Sequence, residues 1–162
     1  MSYLFWSSEL DTGIKSIDQQ HKRIVEYINR LDDARAQGSR QLIGEVIDGL
    51  VDYTQSHFSF EEKMMEDAGY PLLRGHRRVH QMFIKQVADY QQRFEAGEDV
   101  AEELHSLLKR WLFNHIKHDD ASYVADVKAS MQDLETDSGE EDGEQEGWLA
   151  RNLRRFFGRS SG

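Results

Sequence analysis

The sequence predicts an all-α protein, an antiparallel up-down-up-down four-helix bundle with an N-terminal arm and a C-terminal tail. Three observations carry this. Apolar residues recur at three- and four-residue steps, with hardly any period-two alternation. The chain holds one proline, Pro71, so little interrupts a helix. The helical stretches are long and their connections short, which favours antiparallel neighbours.

Taken in order, Leu4, Phe5, Trp6 and Leu10 read as an extended arm laid across the bundle. The first helix runs from about Ile17 to Ala36, with Ile17, His21, Ile24, Val25, Ile28 and Leu31 in one stripe. Gly38 and Ser39 end it. A second helix spans about Arg40 to Asp67, carrying Ile43, Val46, Ile47, Leu50, Thr54, His57, Glu61 and Met64 on one face, and Gly69-Tyr70-Pro71 supplies the stop and turn. The third starts near Leu72, points Leu73, His76, His80, Phe83, Ile84, Val87 and Phe94 inward, and closes at Gly97. In the fourth, Asp99 is the expected N-cap, and Leu104, Leu107, Leu108, Trp111, Leu112 and His115 repeat in near-heptad fashion.

Composition divides the chain into a bundle over 1–133, an acidic flexible linker over 134–147 and a basic amphipathic tail over 148–162. Glu135 to Glu146 contains seven acids and no base, as a solvated linker does. From Trp148 to Arg159 there are four arginines and no acid. On a helical wheel Leu149, Ala150, Leu153, Phe156 and Phe157 share one arc and the arginines the opposite one. Such a piece is too short to hold a helix alone in water, so it is a candidate for docking on an anionic membrane surface or on a partner protein.

The net charge of -10 argues against nucleic acid as a partner of the body, since phosphate binding needs clustered positive charge. No apolar run is long enough to span a bilayer, and the N-terminus lacks a basic region followed by an apolar one, so a cytoplasmic location is the default expectation, with the tail at the inner membrane surface as an addition to it. With no cysteine in the chain, disulfides, thiolate-held zinc, iron-sulfur clusters and cysteine nucleophiles are excluded. Any metal must be held by imidazole and carboxylate.

Five of the seven histidines fall on inward stripes that a bundle normally fills with Leu, Ile and Phe. His57 and Glu61 are four apart, as are His76 and His80, which places each pair on one helical face a turn apart. A single core histidine is ordinarily a hydrogen-bonded packing residue. Five converging on one core with Glu61 would leave many polar atoms unpaired, and a metal resolves that. Several imidazoles with carboxylates and no sulfur suit iron, manganese, zinc or copper more than magnesium or calcium. The donors are too many for one ion. On two octahedral ions, five imidazoles, two bridging carboxylates and a bridging oxygen fill all positions but one, and that one is open to a small molecule.

Trp6, Leu10-Asp11-Thr12-Gly13-Ile14, Ile17-Asp18 and Gln20-His21-Lys22 resemble the start of bacteriohemerythrins. So do His57-Phe58 with Glu61-Glu62, Gly69-Tyr70-Pro71, His76 with His80, and Trp111-Leu112 with His115-Ile116 and Asp120. The resemblance covers roughly residues 3–125. It implies two iron ions bridged by an oxo or hydroxo group, one held by His76, His80 and His115, the other by His21 and His57, with Glu61 and Asp120 bridging them. O2 would bind at the iron that has two histidines, and Trp111, Leu112 and Ile116 would wall its pocket.

Two positions need a decision. On a continuous helix Asp120 lies about 140° around from His115 and Asp119 only about 40°, yet the family motif puts the acid five residues after the histidine. Asp120 is therefore the expected ligand, and the helix is expected to bend or loosen after Ile116. Glu62, about 100° from Glu61, reads as an exposed acid or one that supports a ligand, and His105 and His118 as surface or edge residues.

The implied function is reversible O2 binding for carriage, storage or delivery, with no enzymatic activity. Alternatives are an O2 or redox sensor, and a di-iron oxidase or a centre that handles peroxide or nitric oxide. Carboxylate-rich oxidase sites build on Glu-x-x-His motifs, and none of the five inward histidines belongs to one.

Overall fold

The structure is a computed structural model and describes residues 3–137. Two compact units divide the chain, 1–127 and 128–162, and the bundle is the first. Its helices are α1 (Lys15–Ala36), α2 (Arg40–Asp67), α3 (Leu73–Glu95) and α4 (Ala101–Asn114); a π-helical turn, His115–Asp120, joins α4 to α5 (Ala121–Asp137). No described helix is long and apolar enough to cross a membrane.

Each end has a local cause. Asp18, in the first turn of α1, accepts from the backbone N–H groups of Thr12 (2.8 Å) and Gly13 (3.1 Å), so the helix starts at Lys15, two residues before the expected Ile17. Ser39 caps α2, its hydroxyl accepting from the Leu42 N–H. After α2 the chain stops as expected. Tyr70 N–H donates to the Met65 carbonyl and Gly69 N–H to that of Glu66, and Gly69 takes φ 67°, a left-handed conformation that favours glycine. The expected cap at Asp99 is not used: Val100 occupies the N-cap without a side-chain bond, and α4 begins at Ala101.

Connections of three to five residues turn the chain back each time. In that antiparallel order the start of α1, the end of α2, the start of α3 and the end of α4 all meet at one end of the bundle. His21, His57, Glu61, His76, His80 and His115 occupy those four places. Away from them the interior is mostly aliphatic and aromatic, with Ile24, Ile28, Leu31, Ile47, Leu50, Phe83, Leu104 and Leu108 nearly inaccessible. Full burial of each such side chain contributes roughly 1.5–3 kcal/mol, which offsets the cost of the polar end.

The N-terminal arm is anchored on α1. Asn29 accepts from Leu4 N–H and donates to its carbonyl, at 2.8 and 3.0 Å, so Leu4 is buried as though pairing with a strand. The acidic linker and basic tail expected at 134–147 and 148–162 lie outside the described residues, apart from the last turn of α5.

Candidate metal centre

The π turn decides which acid faces the core. Widening the helix by one residue per turn aligns positions five apart, so Asp120 follows His115 into the interior, where each is about 1% exposed or less. Asp119, which an α-helix would have sent inward, instead accepts a hydrogen bond from the Nδ1–H of His115 at 2.9 Å. The loosening expected after Ile116 already begins at His115.

Two buried groups of donors result: Glu61 with His76, His80 and His115, and Glu61 with His21 and His57. Glu61 faces both. Its Oε1 lies 3.0 Å from His76 Nε2 and 3.1 Å from His80 Nε2, while its Oε2 lies 3.2 Å from His57 Nε2. Asp120 divides in the same way, with Oδ1 3.1 Å from His115 Nε2 and 3.3 Å from His76 Nε2, and Oδ2 3.2 Å from His21 Nε2. Each carboxylate thus offers one oxygen to each group.

His76 Nε2 pairs with Glu61 Oε1 at 3.0 Å, but most of the other inward atoms find no such partner. His21 Nε2, His57 Nε2, Glu61 Oε2 and both Asp120 oxygens are fully buried without a hydrogen bond, a cost that proteins rarely leave unmet. His80 Nε2 and His115 Nε2 face each other at 3.1 Å. Since each ring gives its Nδ1–H to a carboxylate, Glu62 (2.8 Å) for His80 and Asp119 for His115, both Nε2 atoms present lone pairs and repel unless a cation lies between them. Ions bound at about 2.1 Å hold adjacent donors about 3 Å apart; the contacts quoted above have that spacing. The donor set fits a pair of metal ions.

Without metal, protons take the same role. Burial lowers the affinity of His21 and His76 for a proton, but the Asp120 and Glu61 carboxylates outweigh it and raise both to about 9. His115 is raised well above its ordinary value for similar reasons, against its own burial. His57, the most enclosed, is lowered by burial. Burial would raise Glu61, yet His57, His115 and His21 hold it well below the usual carboxylate range, and Asp120 is lowered likewise by His115 and His21 against its burial and the Glu61 charge.

Aromatic rings close the site. Phe58 lies flat on His80 at 3.8 Å, Trp111 on His115 at 4.3 Å and on Phe83 at 3.7 Å. Leu112 and Ile116 are buried beside them in the core. Of the expected site residues, all seven donors converge, and Trp111, Leu112 and Ile116 stand on the His115 side of α4 and the π turn. His105 is half-buried and His118 exposed, away from the donor groups.

Sequence reasoning passed over Gln20, Asp119 as a partner of His115, and Tyr123. Gln20 is buried and accepts the His57 Nδ1–H at 2.6 Å. Its signal was a polar residue on the inward stripe, between Ile17 and Ile24. Tyr123, fully buried, sits with its ring 5.4 Å from His76, and burial followed by the Glu61 and Asp120 charges pushes its hydroxyl well above the usual range. It continues the inward spacing from Asp120 to Val127.

A family model described as the hemerythrin HHE cation binding domain matches residues 12–127. The chain belongs to the hemerythrin family. Among its relatives in that family is bacteriohemerythrin of Pseudomonas aeruginosa, 54% identical over 158 residues that cover 98% of this chain and 100% of the relative. Bacteriohemerythrin of Stenotrophomonas maltophilia is 52% identical over 160 residues, with the same coverage. A crystal structure of wild-type hemerythrin superposes with a TM-score of 0.74 at 34% identity, over 78% of this chain and 98% of that one. The hemerythrin match ends at residue 127, and the full-length likeness to the bacterial relatives extends beyond it.

Proposed function

We propose that this hemerythrin-family chain binds O2 reversibly at a non-haem di-iron centre, as a carrier, store or local source of O2 and not as an enzyme. The observation that carries the reading is the pair of buried donor groups that share Glu61, with Asp120 reaching both, in which His21 Nε2, His57 Nε2, Glu61 Oε2 and both Asp120 oxygens have no hydrogen-bond partner. His76, His80 and His115 would hold one iron and His21 and His57 the other, with Glu61 and Asp120 spanning both. Ferrous iron supplies the electrons on which O2 binding draws.

The chain's own contribution is placement and dryness. Nδ1–H bonds to Glu62, Asp119 and Gln20 orient three rings with Nε2 inward. Trp111, Leu112 and Ile116 wall the O2 pocket and keep out water and protons, which would otherwise make O2 binding irreversible. In the cell we place the chain in the cytoplasm, with segment 148–159 as its contact to the inner membrane surface.

The test is an anaerobic iron assay joined to optical spectra before O2 is added, after addition and after removal. Two irons per chain and a visible absorption that appears with O2 and fades on its removal are expected. Irreversible bleaching would favour an oxidase or redox sensor, and absence of iron would overturn the reading.

A further inference from the structure

The two donor groups differ in what stands behind their imidazoles. In the group of three, His80 and His115 each donate Nδ1–H to a carboxylate, Glu62 at 2.8 Å and Asp119 at 2.9 Å. Arg77 in turn holds Glu62, at 3.2 Å, so that carboxylate is itself oriented. In the group of two, His57 donates to the neutral amide oxygen of Gln20 at 2.6 Å, and His21 Nδ1 is buried without a partner. A carboxylate behind an imidazole makes it a stronger base and fixes its tautomer, whereas an amide does only the second. The Nε2 atoms of His80 and His115 are therefore the stronger donors.

We propose that Glu62 and Asp119 are positioning residues that make the His76–His80–His115 position fill first and hold its ion tightly, and that Gln20 leaves the His21–His57 position the labile one. This rests on the two-metal reading above. One consequence is a defined singly loaded state, with the ion at the three-histidine position and His21 and His57 still free. A second is that exchange or loss of metal begins at the position to which the small molecule is assigned, because the anionic support lies on the other side of the shared carboxylates.

The experiment is a stepwise Co2+ titration of the full chain after metal removal by a chelator, without O2, following the visible Co2+ bands and competition with a coloured chelator. Two resolved steps are expected. Glu62→Gln and Asp119→Asn should each weaken the first step by about 10- to 100-fold and leave the second within a few-fold of its original value. Gln20→Glu should tighten the second step alone, a selective gain that a purely structural role for Gln20 would not produce. Far-UV circular dichroism of each metal-free variant confirms that it is folded, and Asp119, part-exposed at 37%, tolerates its amide. Uptake of two ions in one unresolved step, or equal weakening of both steps by Glu62→Gln and Asp119→Asn, would overturn the proposed order while leaving the two-metal reading intact. Failure to take up any Co2+ would overturn that reading, and the order with it.

Discussion

At the scale of residues, the proposed metal centre is a place where protons and metal ions would compete for the same Nε2 atoms. In the metal-free protein His21 and His76 titrate at about 9, above the usual 6.5. A raised imidazole contributes stability that is complete below its unfolded value and is lost as pH rises through its folded one. Glu61 and Asp120, lowered, contribute in the opposite sense, losing their share as pH falls below the ordinary carboxylate range. Metal-free protein should thus melt highest in mildly acidic buffer and lose stability between about pH 6.5 and 9. The loaded protein should do the reverse over that window, since binding releases protons and tightens as they become scarce. Melting curves of both forms across pH check this; parallel profiles would show that the cluster does not hold those protons. Backbone conformation sets another residue's fate. Gly69 has φ 67° and nothing within 4 Å of an added Cβ, so Gly69→Ala should cost about 1–2 kcal/mol from the left-handed backbone alone. Urea unfolding of the full chain should show that loss.

At the scale of elements, helix ends and one irregular turn do what periodicity alone cannot. The Ser39 hydroxyl satisfies one backbone donor at the start of α2, and Ser39→Ala should destabilise by about 1 kcal/mol, with Ser39→Asp close to the original. A denaturation midpoint unchanged in Ser39→Ala would mean that the cap is replaced by solvent at no cost. The π turn His115–Asp120 is more consequential, for it gives two adjacent acids opposite duties. Asp120 enters the core between the two donor groups, and Asp119 stays at the edge behind His115. The turn also carries the helical face on to Tyr123 and Val127, both fully buried.

At the scale of the whole molecule, antiparallel order gathers four helix ends into one polar compartment and leaves the rest of the interior largely apolar, Asp32 and Thr54 being buried exceptions. The acidic body and the basic segment 148–159 are a further contrast, written in the composition. Each arginine of that segment adds about 1 kcal/mol near an anionic surface. The full chain should therefore sediment with phosphatidylglycerol-rich vesicles at low salt and be released at high salt, and removal of 147–162 should abolish this. Unchanged sedimentation after the deletion would sink the membrane assignment of the tail.

Helix number, order and type were determined by the sequence itself, since apolar spacing, Gly38, Ser39, Gly69 and Pro71 act locally and leave one arrangement for long helices with short connections. Five inward histidines and Glu61 were legible for the same reason, each being polar at a position whose period is apolar. Tertiary structure alone decided the rest. An ideal wheel prefers Asp119 to Asp120, and the reversal comes from a widened turn that sets Asp120 beside His21 of α1 and His76 of α3, and His115 near Glu61 of α2. Gln20, Glu62, Asp119 and Tyr123 acquired their partners in the same way. The hydrogen bonds at 2.6 and 2.8 Å between side chains 37 and 18 residues apart depend on how the helices rotate about their axes when they pack. That rotation is set by the whole core and by no local stretch of chain.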